Sequence, residues 1–68
     1  MALSARNHLP GEITEVILGT VTALITVKVG NNVVESVITK RSAEEMGLKK
    51  GDKVIAVIKA TEVMIQKG

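Results

Sequence analysis

Apolar and polar residues alternate along much of this chain, and a period of two predicts β-strands rather than helices. The alternation is clearest over residues 21–29, where the apolar positions would share one buried face: Val21, Ala23, Ile25, Val27 and Val29. β-Branched residues predict an earlier strand over 12–18, which would begin after a turn or kink at Pro10-Gly11. Gly30-Asn31-Asn32 predicts a hairpin turn, because Gly and Asn tolerate positive φ, and a return strand would follow over 33–39.

The second half of the chain predicts one short helix followed by more strand. Ser42 to Glu45 matches the capping box S-x-x-E, so a helix of one or two turns would begin at Ser42 and end at Gly47. Residues 53–60 predict a strand that is apolar on both faces, and residues 61–65 could continue as a further short strand. Because a small domain cannot cover both faces of such a strand, we expect another subunit to lie against its outer face.

Together these elements predict an all-β fold, a small five-stranded barrel with one short helix, in a single domain that spans residues 1–68. A chain of this length buries little apolar surface and usually needs disulfides, metals or oligomerisation for stability. The chain has no cysteine and one histidine, which excludes disulfides, thiolate metal sites and a cluster of histidines within one chain. Oligomerisation is the remaining option.

The composition also argues against nucleic-acid binding and favours a small anion. Small barrels bind single strands by stacking bases on aromatic side chains, and this chain has no Phe, Tyr or Trp. The net charge of +2 and the pI of about 9.2 suit an anionic partner, but the basic residues form no dense stripe. Binding to duplex phosphates is left open by these observations.

The sequence predicts neither an enzyme nor a membrane protein. Its carboxylates fall mostly in turns, in the capping box or at alternating strand positions, and His8 is the only imidazole. There is no Gly-rich phosphate loop. The N-terminus lacks the apolar run of a signal peptide, and no apolar stretch is long enough to span a membrane, so we expect a cytoplasmic protein.

Several donors along the chain suit a tetrahedral oxyanion, which offers only acceptors and needs converging N–H and O–H groups with positive charge. Ser4 and Arg6 would lie on the same face of an extended segment. Lys59 is a lone cation in an apolar strand, and Ser42 lies at the predicted helix N-terminus, three residues after Thr39. Each also has a plain structural explanation: a strand-end lysine, a helix cap and a β-forming threonine.

These residues lie in segments that closely resemble the Mop family of molybdate-binding proteins. The resemblance covers nearly the whole chain, and its segments are Leu3-Ser4-Ala5-Arg6-Asn7, Gly11, Val37-Ile38-Thr39 with Ser42, Leu48-x-x-Gly51-Asp52-x-Val54, and Ile58-Lys59-Ala60-Thr61. The length is similar to that of the molbindins, which have a single Mop domain. The resemblance implies an OB-like β-barrel, strand exchange between paired subunits, and a homohexamer built as a trimer of dimers.

The resemblance also implies a ligand and the residues that bind it. Molybdate or tungstate would bind between subunits for intracellular storage or homeostasis, without catalysis, without a catalytic cofactor and without a bound metal cation. The implied ligands are Ser4, Ala5 through its backbone, Arg6, Thr39, Ser42, Lys59 and Ala60 through its backbone. A second oxyanion site near the three-fold axis would use backbone amides of Gly19, Thr20, Val21 and Thr22.

Two alternative functions belong to other classes. Residues 48–54 look like a short element of the transition-state regulators, which are DNA-binding barrels with swapped hairpins, but that element is only a turn and the start of a strand. The chain could also be a ligand-sensing module that acts only with a partner protein. Salt-dependent duplex binding would support the first alternative, and a stoichiometric protein partner would support the second.

Overall fold

The computed structural model describes residues 3–68, whose elements in chain order are β1 (Asn7–Leu18), β2 (Thr22–Val29), β3 (Asn32–Thr39), α1 (Lys40–Met46), β4 (Lys53–Ile58) and a 3-10 turn (Ala60–Glu62). The four strands form one antiparallel sheet with the order β3-β2-β1-β4. No helix in this part of the chain has the length and apolar character needed to cross a membrane.

Strand β1 is the longest strand and has a different neighbour along each half. Its first half pairs with β4, from Asn7 opposite Ile58 to Glu12 opposite Lys53. Its second half pairs with β2, and the register shifts by one residue between Ile13 and Glu15. Because such a bulge increases local twist, β1 bends as it passes from one neighbour to the other. The sheet stays open, with β3 and β4 as its edges.

The core lies on one face of the sheet and is covered by α1. Its buried members are Ile13, Ala23, Ile25, Val27 and Ala43. The predicted inward face of β2 is therefore confirmed at its three central positions, whereas Val21 lies before the strand and is exposed. An apolar hollow of about 190 Å³ adjoins this core between the two edge strands, with Val34 and Ile38 on the β3 side and Val54 and Ala56 on the β4 side.

The predicted turn at Pro10-Gly11 is wrong, because both residues lie within β1. Proline is tolerated there since this half of β1 is paired with β4 only. Gly11 is needed because the backbone of β2 approaches closely: a Cβ at Gly11 would lie 2.5 Å from the Lys28 carbonyl oxygen and 2.8 Å from Val27 Cγ1. A glycine that marks a close backbone approach and one that marks a turn look the same in a sequence.

The helix begins earlier than the capping box predicts. The N-cap is Thr39, whose side chain accepts a hydrogen bond from the Ser42 amide at 3.0 Å, so Ser42 lies inside the first turn. The predicted end is confirmed: Gly47 is the C-cap in the left-handed conformation, with a φ of 62°. Strand β3 ends at Thr39 and α1 begins at Lys40, so Thr39 rather than Ser42 occupies the N-cap position.

The predicted strand over residues 61–65 is wrong, so the described residues contain four strands where the sequence predicted five. Strand β4 also ends at Ile58 rather than at Ala60. After the 3-10 turn, Met64 and Ile65 are 92% and 89% exposed. An apolar run becomes a strand only where a sheet edge can pair with it, and this segment pairs with no strand among residues 3–68.

Candidate oxyanion site

Most of the predicted ligands lie at one end of the sheet, where the N-terminal segment meets the end of β4. The last pair of the ladder joins Asn7 to Ile58. Arg6 directly precedes Asn7 and Lys59 directly follows Ile58, so both cations come immediately after this last pair, just outside the ladder. We call this group cluster 1; its members are Ser4, Ala5, Arg6, Lys59 and Ala60.

Within residues 3–68, neither cation of cluster 1 forms an ion pair with a carboxylate. The ion pairs within residues 3–68 are Arg41 with Glu45 and Lys53 with Glu12, and neither includes Arg6 or Lys59. Both of these side chains are exposed. Two neighbouring cations repel each other, and an anion that contacts both turns that repulsion into attraction. Cluster 1 is therefore electrostatically suited to an anion.

The side chains of two β1 residues lie within hydrogen-bond distance of backbone carbonyls in cluster 1 or directly next to it. The Asn7 Nδ2 group donates to the Ile58 carbonyl oxygen at 3.1 Å. The His8 Nε2 atom lies 3.2 Å from the Ala5 carbonyl oxygen. Sequence reasoning assigned no contact to either side chain. Their position directly after Arg6 was the only available signal, and it does not reveal which carbonyl each would reach.

The remaining two predicted ligands, Thr39 and Ser42, form a separate group that we call cluster 2. The Thr39 Oγ1 atom accepts from the Ser42 amide at 3.0 Å and donates to Ser42 Oγ at 2.8 Å. The hydrogen bond between the two hydroxyls uses one of their two protons, so one remains for an external acceptor. Cluster 2 therefore offers one hydroxyl donor, whereas the sequence had suggested two independent ones.

The turn between β1 and β2, where a second oxyanion site was expected, adjoins cluster 2. Thr22 pairs with Thr39, and the Lys40 amide donates to the Val21 carbonyl oxygen at 2.8 Å. The Gly19 amide donates to the Thr22 carbonyl oxygen at 2.8 Å. At least one of the four amides expected at this site is therefore already used within the turn. All four residues, Thr20 included, are exposed.

The two clusters lie at opposite ends of β1. Cluster 1 is beside Asn7, where the strand begins, and cluster 2 is reached across β2 from Leu18, where it ends. A strand of 12 residues covers on the order of 30 Å. One tetrahedral ion cannot contact groups so far apart, so a single chain does not bring all of its predicted ligands together.

A broad groove of about 800 Å³ lies elsewhere on the sheet, and a carboxylate lies between its two lysines. Glu12 lies there between Lys28 on β2 and Lys53 on β4. The hydrogen bond from Lys53 at 2.8 Å, together with its charge, lowers the pKa of Glu12 below its ordinary value. An ionised carboxylate therefore occupies this groove. No group of three or more His, Asp or Glu side chains within residues 3–68 could hold a metal ion.

Comparisons with known proteins agree along almost the full length of the chain. The model of the TOBE domain matches residues 3–65. Molybdenum-pterin-binding protein 1 of Clostridium pasteurianum is 42% identical over 66 residues, which cover 96% of this chain and 97% of that protein. The similarity thus includes both clusters and the strands that carry them.

Two solved structures share the fold. A molybdate-binding protein from Sporomusa ovata has a TM-score of 0.94 and 37% identity, with 98% of this chain and 100% of that chain covered. The cytoplasmic molybdate-binding protein ModG, in a form with molybdate bound, has a TM-score of 0.82 and 39% identity. In that case the match covers 88% of this chain and 43% of the other.

Proposed function

Because this chain belongs to the Mop family of TOBE-domain proteins, we propose that it binds molybdate or tungstate as the intact oxyanion. The observation that carries the proposal is the pair of exposed cations in cluster 1, Arg6 and Lys59, which pair with no carboxylate in the described part of the chain. An anion that accepts charge-assisted hydrogen bonds from both is stabilised more than by neutral donors alone. The function is binding, without a chemical step.

Within cluster 1 each residue has a distinct role in the proposal. The Arg6 guanidinium supplies a planar fork of N–H donors, and the Lys59 ammonium supplies a point charge. The Ser4 hydroxyl and the backbone amides of Ala5 and Ala60 complete a set of donors around the oxygens. Molybdate and sulfate are both dianions near neutral pH, so selectivity between them would depend on the size of the cavity.

The complete site in this proposal lies between two chains. Cluster 1 of one subunit and cluster 2 of another would surround the same ion, because the two clusters of one chain are too far apart. The free edges of β3 and β4 support such an assembly, and so does the exposed apolar face of β4 at Ile55 and Val57. Strand exchange there would complete a five-stranded OB-like barrel, and a homohexamer would follow as a trimer of dimers.

A second oxyanion site belongs to the same proposal, at the exposed turn of residues 19–22 near a three-fold axis. Its support is its position beside cluster 2, through the pair of Thr22 with Thr39. The assembly would store or buffer the oxyanion in the cytoplasm. The description of ModG as a cytoplasmic protein supports that location.

Calorimetric titration of the protein with molybdate, tungstate and sulfate tests the proposed function. We expect molybdate and tungstate to bind more tightly than sulfate, because sulfate is the smaller ion and would fit a cavity sized for molybdate less well. Equal or tighter binding of sulfate would overturn the proposal. Native mass spectrometry with and without molybdate reports the subunit number and the number of bound ions in the same measurement.

A further inference from the structure

The polar pair Asn7-His8 directly follows the proposed ligand segment and contacts the backbone on both sides of cluster 1. Both residues lie within β1, where they pair with Ile58 and Val57. Residues 3–6, in contrast, belong to no strand or helix. Side chains that connect β1 to residues 3–6 therefore influence how much the backbone of cluster 1 moves.

The His8 side chain holds the peptide plane that leads into Arg6. Its Nε2 atom lies 3.2 Å from the Ala5 carbonyl oxygen, and only an Nε2–H form of the ring can donate to that oxygen. The Ala5 carbonyl and the Arg6 amide belong to the same planar peptide unit. A bond to that carbonyl therefore restrains the direction in which Arg6 leaves the backbone.

The Asn7 side chain does the same for Lys59 on the opposite strand. Its Nδ2 group donates to the Ile58 carbonyl oxygen at 3.1 Å, and this carbonyl shares a planar peptide unit with the Lys59 amide. Lys59 comes directly after the last residue of β4, so the ladder no longer restrains it. Each cation of cluster 1 thus follows a peptide plane whose carbonyl oxygen lies within hydrogen-bond distance of a polar side chain of β1.

We propose that Asn7 and His8 are positioning residues for oxyanion binding, which is an inference that rests on the proposed function. Neither needs to touch the ion. They restrain the backbone before each cation in the free protein, so less conformational entropy is lost when the ion binds. The structural basis is the matched pair of hydrogen bonds at 3.1 Å and 3.2 Å on the two sides of the cluster.

Substitutions that remove one hydrogen bond test this inference. We expect His8→Val and Asn7→Ala each to weaken molybdate binding about fivefold, the factor that corresponds to about 1 kcal/mol at 25 °C. His8→Gln keeps an N–H donor at similar reach and should recover most of the affinity. The matched control is Thr14→Val, an exposed polar residue in the other half of β1, which should leave the affinity unchanged.

A second measurement, on the ligand-free protein, separates this inference from the proposed function. Backbone ¹⁵N relaxation should show increased motion at Arg6 in His8→Val and at Lys59 in Asn7→Ala, and near wild-type order at Arg6 in His8→Gln. Unchanged affinity in both His8→Val and Asn7→Ala, with tight binding by the wild type, would overturn the positioning role alone. Failure of the wild type to bind molybdate would overturn the proposed function and this inference with it.

Discussion

Arg6 and Lys59 carry the same charge but offer an oxyanion different geometries. The guanidinium is planar and presents donors in a fixed fork, whereas the ammonium is a compact charge on a flexible stem. A tetrahedral ion can accept two parallel hydrogen bonds from the first and only a less directional contact from the second. The two residues are therefore not interchangeable in the proposed site.

Removal of either cation should weaken binding strongly. A hydrogen bond to a charged group contributes about 1.5–3 kcal/mol, so Arg6→Ala and Lys59→Met should each lower molybdate affinity by at least about tenfold. Arg6→Lys should fall between Arg6→Ala and the wild type, because it keeps the charge and loses the fork. Calorimetric titration measures these changes, and Lys50→Met is the control for loss of a remote charge. Unchanged affinity in both Arg6→Ala and Lys59→Met would remove cluster 1 as the site.

Substitutions of Thr39 and Ser42 should affect different properties of the protein. The first should lower the free energy of unfolding, whereas the second should weaken molybdate binding with little change in stability. Thr39→Ala removes the N-cap of α1 and should cost about 1 kcal/mol in the free energy of unfolding. Ser42→Ala keeps the backbone amide that Thr39 caps, so we expect a change in stability below about 0.5 kcal/mol, together with weaker molybdate binding. Urea denaturation and calorimetric titration provide the two measurements. A loss of stability in Ser42→Ala as large as that in Thr39→Ala would contradict this division.

At the scale of secondary structure elements, the path of β1 organises the site. The first half of this strand pairs with β4 and the second half pairs with β2. The two clusters therefore lie at its opposite ends. The pairing partner of β1 changes from β4 to β2 around Gly11 and Glu12. At Gly11 the backbone of β2 lies so close that a Cβ atom added there would be nearer to it than in an ordinary van der Waals contact. A side chain at Gly11 would push the two strands apart at this point.

Gly11→Ala should therefore destabilise the fold by about 1–3 kcal/mol, the usual cost of overpacking. The new Cβ would meet the backbone oxygen of Lys28, which cannot move away as a flexible side chain could. Gly30→Ala is the matched control: its Cβ would meet nothing, so its cost of about 1 kcal/mol would come only from the positive φ of 59°. Urea denaturation compares the two, and a smaller effect for Gly11→Ala would disagree with the close approach seen in the structure.

At the scale of the whole molecule, residues 3–68 of a single chain leave extensive apolar surface uncovered. Ile55 on the outer face of β4 is 58% exposed, and Val37 on β3 is 69% exposed. The C-terminal segment adds Met64 and Ile65, which are almost fully exposed. Apolar surface of this extent on a small domain is typical of an assembly interface.

Complementation between two defective chains tests whether the site is shared. One chain carries Arg6→Ala, and the other carries both Thr39→Ala and Ser42→Ala. If cluster 1 of one subunit meets cluster 2 of another, mixed assemblies contain some intact sites, and we expect co-refolding to restore high-affinity molybdate binding that neither variant has alone. Native mass spectrometry confirms mixing. Mixed assemblies without restored binding would mean that the ion does not lie between the two clusters.

The sequence by itself determined the features that depend on neighbouring residues. The alternation in β2, the hairpin turn at Gly30 and the helix stop at Gly47 were all predicted correctly, because each reflects the conformational preferences of a few adjacent residues. The sequence also supplied the donor types expected for an oxyanion and the resemblance that the comparisons confirm.

The tertiary structure alone decided what depends on partners distant along the chain. Pro10 and Gly11 lie within a strand because of where β4 and β2 pass. Residues 61–65 are not a strand because no sheet edge formed by the described residues pairs with them. The positions of the predicted ligands also depend on strand pairing. These residues form two separate clusters because one half of β1 pairs with β4 and the other half pairs with β2. Strand pairing is a non-local interaction, and its register cannot be derived from the periodicity of one strand.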